Sequence, residues 1–107
     1  MHDSARVILT PGAKADLSDI ARYTKKEWGK KQAIKYAELL DQCFEKIAAC
    51  KDISKSVLPN NKMVRVCRCE HHYVFYFRQG KREKPVILAV LHERMNLMQH
   101  LKGRLQG

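Results

Sequence analysis

The period of the hydrophobic pattern changes along this chain, and that change limits the folds it can adopt. From Pro11 to Cys50 apolar residues recur at the 3.6-residue spacing of amphipathic helices, whereas from Lys62 to Leu91 strand-like runs dominate. Helical segments followed by consecutive strands are typical of α+β folds, in which helices cover one face of an antiparallel sheet. The order therefore predicts a helical layer packed on a small sheet.

Two helices are predicted in the first half of the chain. Thr10 and Pro11 form a typical helix start, because threonine caps an unpaired N–H group and proline at the first helical position loses no hydrogen bond. Gly29 can take the left-handed conformation that ends a helix, and the helical pattern resumes at Lys30. We interpret Trp28, on the apolar face of the first helix, as a core anchor.

Four strands complete the predicted domain. One short strand precedes the helices and three follow them, the last being apolar enough to be buried on both faces. The predicted strands are Arg6 to Leu9, Lys62 to Cys69, His71 to Arg78 and Val86 to Leu91.

The connections and ends of the chain complete this prediction. Glu70 and His71 are expected in a tight turn, and the turn-forming residues from Asp52 to Asn61 predict an irregular loop. Asn96 is a candidate cap for a short C-terminal helix. The predicted fold is thus a single α+β domain, residues 1–107, with a flexible N-terminus at 1–5. Its helical hairpin packs on a small, mainly antiparallel sheet in the order β-α-α-β-β-β, followed by the short helix.

The composition of the chain limits which binding partners and which cellular compartment are expected. The chain has 107 residues and 21 Lys and Arg against 11 Asp and Glu, so its formal charge of +10 should attract nucleic acid or acidic proteins. The apolar run Val7-Ile8-Leu9 is far too short for a secretion signal or a membrane span. We therefore expect a cytoplasmic protein that does not bind membranes.

The four cysteines are expected to be reduced in that compartment. Cys67 and Cys69 invite comparison with a metal site, but alternate residues of one strand lie about 7 Å apart, too far to share a tetrahedral ion easily. We predict no metal and no cofactor, and we interpret these cysteines as small apolar core residues.

Several segments resemble one bacterial protein family. The hairpin segments are Thr10-Pro11, Asp16-Leu17, Tyr23-Thr24, Trp28-Gly29 and Ala33 to Tyr36, and the later ones are His72 to Tyr76, Ile87 to Arg94 and His100-Leu101. Together they resemble ParE-type toxins of the RelE/ParE superfamily. The resemblance extends from Arg6 to Leu101 and implies a toxin of a type II toxin-antitoxin system. Such a toxin is neutralised by a cognate acidic antitoxin with which it forms a hetero-oligomer.

The resemblance leaves two activities open, and the first is that of ribosome-dependent mRNA endoribonucleases of the RelE type. Cleavage requires acid-base groups and cations at the scissile phosphate. For this activity the candidates are His92, Arg65 and Arg78. Relatives that cut RNA commonly carry a tyrosine or a second catalytic group near the C-terminus, whereas no tyrosine follows Met95.

The second activity, which we favour, is inhibition of DNA gyrase, alone or as its complex with DNA. This activity needs no catalytic residue of the toxin, because stabilising an enzyme-DNA intermediate is a binding function. The candidate target-binding residues are Arg65, Arg68, Arg78, His92, Arg94 and Met95. A nontoxic nucleic-acid-binding module is a third alternative, since the positive charge alone would also suit it.

Overall fold

The computed structural model describes residues 6–49, 55–58, 61–80 and 83–106. The predicted flexible N-terminus, residues 1–5, lies outside this part of the chain. In chain order the elements are β1 (Ile8–Leu9), α1 (Pro11–Trp28), α2 (Lys30–Ala48), β2 (Lys55–Leu58), β3 (Asn61–Cys69), β4 (His72–Phe77), β5 (Val86–His92) and α3 (Leu97–Gln106).

The five strands form one mixed sheet in the order β1-β5-β4-β3-β2. Strands β2 to β5 pair antiparallel with their neighbours, and only β1 is parallel, to β5. The register between β4 and β5 shifts by one residue at Leu88, because Phe75 faces Ala89 and Tyr76 faces Ile87. The predicted α+β class and helical hairpin on a mainly antiparallel sheet are confirmed.

The helix boundaries follow from local chemistry. The Thr10 hydroxyl oxygen accepts the Ala13 N–H at 3.1 Å and donates to the Ile87 carbonyl at 2.9 Å, so the cap of α1 is also tied to β5. Gly29 has a φ of 92°, which favours glycine, and it is the only residue between α1 and α2. In α3 the Asn96 side chain accepts the Gln99 N–H, as the sequence predicts.

The sheet carries a hydrophobic core on each face. On one face the α1-α2 hairpin covers the sheet, with Phe44 and Ile47 of α2 packed against Val74 and Ile87. The smaller core on the other face lies under α3 and includes Leu101. Since β4 and β5 contribute to both cores, the prediction of a last strand buried on both faces is confirmed.

Two local predictions are wrong. The segment predicted as an irregular loop contains strand β2. Its polar residues do not indicate a strand, and β2 is stabilised by hydrogen bonds to the edge of β3. Trp28 was predicted in the core but has 72% of its surface exposed, because it is the last residue of α1, beyond the part of the hairpin that covers the sheet.

One ion pair joins three elements of the fold. The two terminal guanidinium nitrogens of Arg104 in α3, Nη2 and Nη1, donate to the Asp16 carboxylate of α1, at 2.8 and 2.9 Å. Asp16 also accepts the Val90 N–H of β5 at 2.9 Å, and Arg104 donates to the Leu88 carbonyl at 3.0 Å. The hydrogen bonds to Asp16 raise the pKa of Arg104. Gly12 leaves room for this arginine, because a Cβ there would lie 2.8 Å from a guanidinium nitrogen.

We expect Asp16→Ala to lower the free energy of unfolding by about 2–4 kcal/mol, because it leaves Arg104 and the Val90 N–H without their acceptor in a half-buried position. Asp19→Ala, three residues along α1, removes an exposed ion pair with Arg22 and should change the stability by less than about 0.5 kcal/mol. Urea unfolding monitored by circular dichroism measures both. Equal losses for the two variants would contradict the structural role of Asp16.

Candidate functional site

Chain reversals bring several polar side chains to one end of the sheet. Strand β3 turns into β4 through Glu70 and His71, and β5 leaves the sheet beside this turn, since the Glu93 N–H donates to the His71 carbonyl at 2.9 Å. His72 and His92 are opposite each other on β4 and β5. Glu70 has a φ of 56°, which is uncommon for a residue with a side chain. We call this region the turn end of the sheet.

A short chain of polar rings lies under the hairpin at the turn end. The Tyr36 hydroxyl of α2 is 2.6 Å from the His72 Nδ1 and accepts the His71 N–H at 3.2 Å. The His72 ring also contacts the His92 ring edge-on, with the ring centroids 5.1 Å apart. This arrangement connects the hairpin to both strands that end here.

The protonation states of these rings follow from their burial. Desolvation lowers the pKa of His72 to about 4, with further lowering by His92 and His71. Desolvation also raises the pKa of Tyr36. At neutral pH the tyrosine hydroxyl therefore donates to an uncharged His72, whose proton is on Nε2. This bond holds the ring in one tautomer and one orientation.

A second network at the turn end lies at the surface. The Glu93 carboxylate is 2.7 Å from a guanidinium nitrogen of Arg68 and 3.1 Å from the His71 Nδ1. The hydrogen bond with His71 lowers the pKa of Glu93, and the positive charge of Arg68 lowers it further. Arg68 also lies over the ring of Tyr73, at 5.6 Å from its centroid. These contacts orient cationic groups at the surface of the turn end.

An open groove of about 1030 Å³ runs from the turn end along the hairpin. Tyr23 and Trp28 line it from α1, Tyr36 from α2, and Arg94 and Met95 from the chain beyond β5. Tyr23 and Trp28 are 63% and 72% exposed, so large apolar surfaces border the groove. Exposed aromatic and methionine side chains of this kind are typical of protein-binding surfaces.

Four of the six predicted target-binding residues lie at the turn end. Arg68 and Arg94 are exposed there, Met95 is 40% exposed, and His92 is half-buried with its Nδ1 accepting the Arg94 N–H. Arg65 is half-buried on β3 and pairs with Tyr76, towards the other end of the sheet.

Arg78 also lies at that other end and contacts the C-terminus of α2. Its guanidinium group donates to the carbonyl oxygens of Ile47 at 2.9 Å and Ala48 at 3.3 Å, and to that of Gly80 at 3.1 Å. A cation here satisfies carbonyl groups that have no partner within the helix, and it interacts favourably with the helix dipole. The geometry therefore gives Arg78 a role in stabilising α2.

The three residues predicted for RNA cleavage do not come together. His92 of β5 lies opposite His72 of β4. Along β4, His72 is four residues from Tyr76, which pairs with Arg65, and six residues from Arg78. At about 3.3 Å per residue and about 4.8 Å between strands, the Cα atom of His92 is about 16 Å from that of Arg65 and about 20 Å from that of Arg78. These separations are too large for the three side chains to surround one phosphate.

Sequence reasoning missed the participation of Tyr23, Tyr36 and His72 in this site. Tyr36 lies in the apolar stripe of α2, where its ring resembles any core residue, and Tyr23 is flanked by ordinary helix positions. The consecutive pair His71-His72 could have indicated a buried histidine, because successive residues of a strand point to opposite faces of the sheet and one of the two faces the core. A buried histidine needs a hydrogen-bonding partner, and Tyr36 supplies it.

Metal binding and membrane insertion find no support in the residues that the structure describes. Within ranges 6–49, 55–58, 61–80 and 83–106 no cluster of three His, Cys, Asp or Glu residues is arranged to hold a metal ion. None of the described helices has the length and hydrophobicity needed to span a membrane.

The fold and the site together define a small basic domain that presents an aromatic-lined groove beside exposed cations. The chain belongs to the ParE toxin family of type II toxin-antitoxin systems, parDE, whose family model matches residues 7–97. It is thus a toxin of a type II toxin-antitoxin system.

Related toxins match nearly the whole chain. Toxin ParE of Escherichia coli is 43% identical over 100 residues, which cover 94% of this chain and 96% of that toxin. Toxin ParE1 of Caulobacter vibrioides is 39% identical over 93 residues, covering 87% and 94%. A solved structure described as the chromosomal ParDE system of P. aeruginosa has a similar fold, with a TM-score of 0.64, 21% identity and coverage of 83% and 98%.

We expect the free energy of unfolding to decrease as the pH falls, because of His72. Its pKa is about 4 in the folded protein and 6.5 without the fold. Between these values the unfolded chain binds a proton that the folded chain does not, so this contribution is present above pH about 6.5 and lost as the pH falls towards 4. The expected loss between pH about 7.5 and about 5 is about 2 kcal/mol.

Urea unfolding of the wild type and of His72→Phe at both pH values measures this contribution. The variant should be less stable at neutral pH but should lose about 2 kcal/mol less on acidification. His100→Gln, which removes an exposed histidine of α3, serves as the control and should keep the wild-type pH dependence. An identical pH dependence for the wild type and His72→Phe would refute the assignment.

Proposed function

We propose that this toxin acts in the cytoplasm by binding DNA gyrase and inhibiting it, and that a cognate antitoxin neutralises it by covering the same region. Family membership supports an antitoxin as partner, and it makes gyrase the first target to test. The groove and the exposed cations of the turn end supply the surface for both interactions.

The observation that carries this proposal is how the candidate residues divide between the two ends of the sheet. Arg68, Arg94 and Met95 present cationic and apolar surface at the turn end, next to the groove. His92, the acid-base candidate, is about 16 Å or more from Arg65 and Arg78. Such an arrangement suits binding through a surface better than cleavage of a phosphodiester bond, so we place the endoribonuclease activity second.

The net charge of the chain supports an acidic antitoxin as partner, and the aromatic lining of the groove supports the groove as its binding site. The chain carries a formal charge of +10, and an acidic segment that folds on binding would reduce it. Tyr23 and Trp28 offer apolar contacts for such a segment, which helices commonly use when they bind in a groove. Because Arg94 and Met95 line the same groove, a bound antitoxin would also cover candidate target contacts. Neutralisation then requires no change in the toxin fold.

We expect the purified toxin to inhibit gyrase in a DNA supercoiling assay. The double variant Arg94→Ala/Met95→Ala should need about tenfold more protein for half-inhibition, because it removes a cation and an apolar contact at the turn end. The matched control is Lys46→Ala/Met63→Ala. It removes the same two kinds of side chain, since Met63 is 43% exposed and Met95 40%, but from the other end of the fold.

Two outcomes would contradict this proposal. If both double variants weaken inhibition equally, the turn end is not the target-binding surface. If the toxin leaves supercoiling unchanged and instead cuts messenger RNA on translating ribosomes, with the cutting abolished by His92→Ala, the endoribonuclease alternative is correct.

We expect Trp28→Ala to raise the dissociation constant for the cognate antitoxin at least about tenfold, because large exposed aromatic residues are frequent hot spots of binding. Ile34→Ala is the matched control, since Ile34 is a 53% exposed apolar residue of α2 that does not line the groove. Isothermal titration calorimetry of each toxin variant with the antitoxin measures both constants. Unchanged affinity for Trp28→Ala would show that the antitoxin binds elsewhere.

A further inference from the structure

Three cysteine thiols meet in the core between α2 and β3. The Sγ atoms of Cys43 and Cys67 are 3.6 Å apart, and the Cys69 thiol donates to the Leu39 carbonyl at 3.5 Å. All three side chains are free thiols and buried, with Cys69 the most exposed at 8%. None of them takes part in the groove or in the ion network of the turn end.

The geometry selects which pair can react. Cys67 and Cys69 lie on the same face of one extended strand, so their Cβ atoms are separated by about 7 Å, well beyond the spacing of a disulfide. Cys43 approaches from the opposite layer. Its Sγ needs to move about 1.5 Å closer to that of Cys67 to reach the bond length of a disulfide, a shift within the reach of side-chain rotation.

The surroundings also favour reaction of this pair. Hydrogen bonding to Cys67 and Cys69 raises the pKa of Cys43, and the same bonds from Cys43 lower the pKa values of Cys67 and Cys69. The positive charge of Lys46 contributes to both decreases. The thiolate is the nucleophile, and of the two thiols with a lowered pKa Cys67 is the one whose Sγ lies 3.6 Å from that of Cys43, so Cys67 is assigned as the sulfur that attacks an oxidant and Cys43 as its resolving partner.

We propose that Cys43 and Cys67 form a reversible disulfide when the protein meets a peroxide. The Cys67 thiolate attacks one peroxide oxygen and breaks the O–O bond, giving a sulfenic acid and, after protonation, water. The Cys43 sulfur then attacks the Cys67 sulfur, the sulfenic oxygen leaves as a second water, and the disulfide forms. The two thiols lose two electrons in total, and the peroxide gains them. A dithiol reductant reverses the reaction by exchange.

The disulfide would join the helical hairpin covalently to the sheet. In the reduced protein α2 contacts β3 through packing and the hydrogen bonds of the thiol cluster. A covalent link between them restricts the unfolded chain and opposes separation of the two layers. Tyr36 and Cys43 lie on the same side of α2, so the link would also stabilise the helix that holds His72. Oxidation is therefore expected to produce a more durable toxin with an intact groove.

Mass spectrometry of the wild-type protein tests the proposal directly. The folded protein is treated with hydrogen peroxide, its remaining thiols are blocked with iodoacetamide under denaturing conditions, and it is digested with trypsin without reduction. Each cysteine lies on a different tryptic peptide: 36–46 for Cys43, 47–51 for Cys50, 66–68 for Cys67 and 69–78 for Cys69. We expect peptides 36–46 and 66–68 to be recovered as one linked species that dithiothreitol separates.

Two variants sharpen the test. Cys69→Ala should still form the linked species, whereas Cys67→Ala should not, and both replace a buried thiol on the same strand by the same small side chain.

Oxidised wild type should also unfold at least about tenfold more slowly in urea than the reduced protein. Recovery of all four cysteines as single peptides, or linkage through Cys50 or Cys69, would overturn the proposal.

Discussion

The contact between Asp16 and Arg104 is the interaction on which the arrangement of the layers depends. The carboxylate accepts from α3 and from the backbone of β5 while it belongs to α1, so it fixes the two helical layers to β5. The shifted register at Leu88 is part of this contact, because the Leu88 carbonyl accepts from Arg104. Without it, α3 would be held mainly by the small core beneath Leu101. Together with the Thr10 cap and the core under the hairpin, this ion pair sets the position of α1 and with it one wall of the groove.

The turn end joins a rigid interior to an adaptable surface. Underneath, Tyr36 and His72 are neutral and hydrogen-bonded, so they fix the separation between α2 and the strand ends. Outside, Arg68 contacts Glu93, the Glu70 carbonyl and the face of Tyr73, all of them partly open to water. Ion pairs at the surface are weak, so a partner can replace them at small energetic cost. A surface of this kind is prepared for contact without requiring that the fold rearrange.

Much of the fold could be predicted because its signals are local. Thr10-Pro11, Gly29 and the Glu70-His71 turn each act through their own backbone, and the structure has them where the sequence predicts. Strand β2 could not be predicted, since its stability comes from the edge of β3 and not from its own residues. The exposure of Trp28 also escaped prediction, because periodicity identifies a helix face but does not tell how far the sheet extends beneath it. The site depends on such long-range relations.

The same distinction explains why charge alone is a poor guide to the binding surface. The sequence presents its arginines as equivalent, yet Arg104 holds three elements together and Arg78 contacts the carbonyl end of α2. Both guanidinium groups use the donors that would otherwise be available to a phosphate or a carboxylate. The number of Lys and Arg residues, 21, therefore overstates how many cations are available to a partner. In the binding mode that we propose, recognition depends on the few cations that lie beside the aromatic groove, and specificity comes from their position relative to Tyr23 and Trp28, since long-range attraction by net charge would draw in any polyanion.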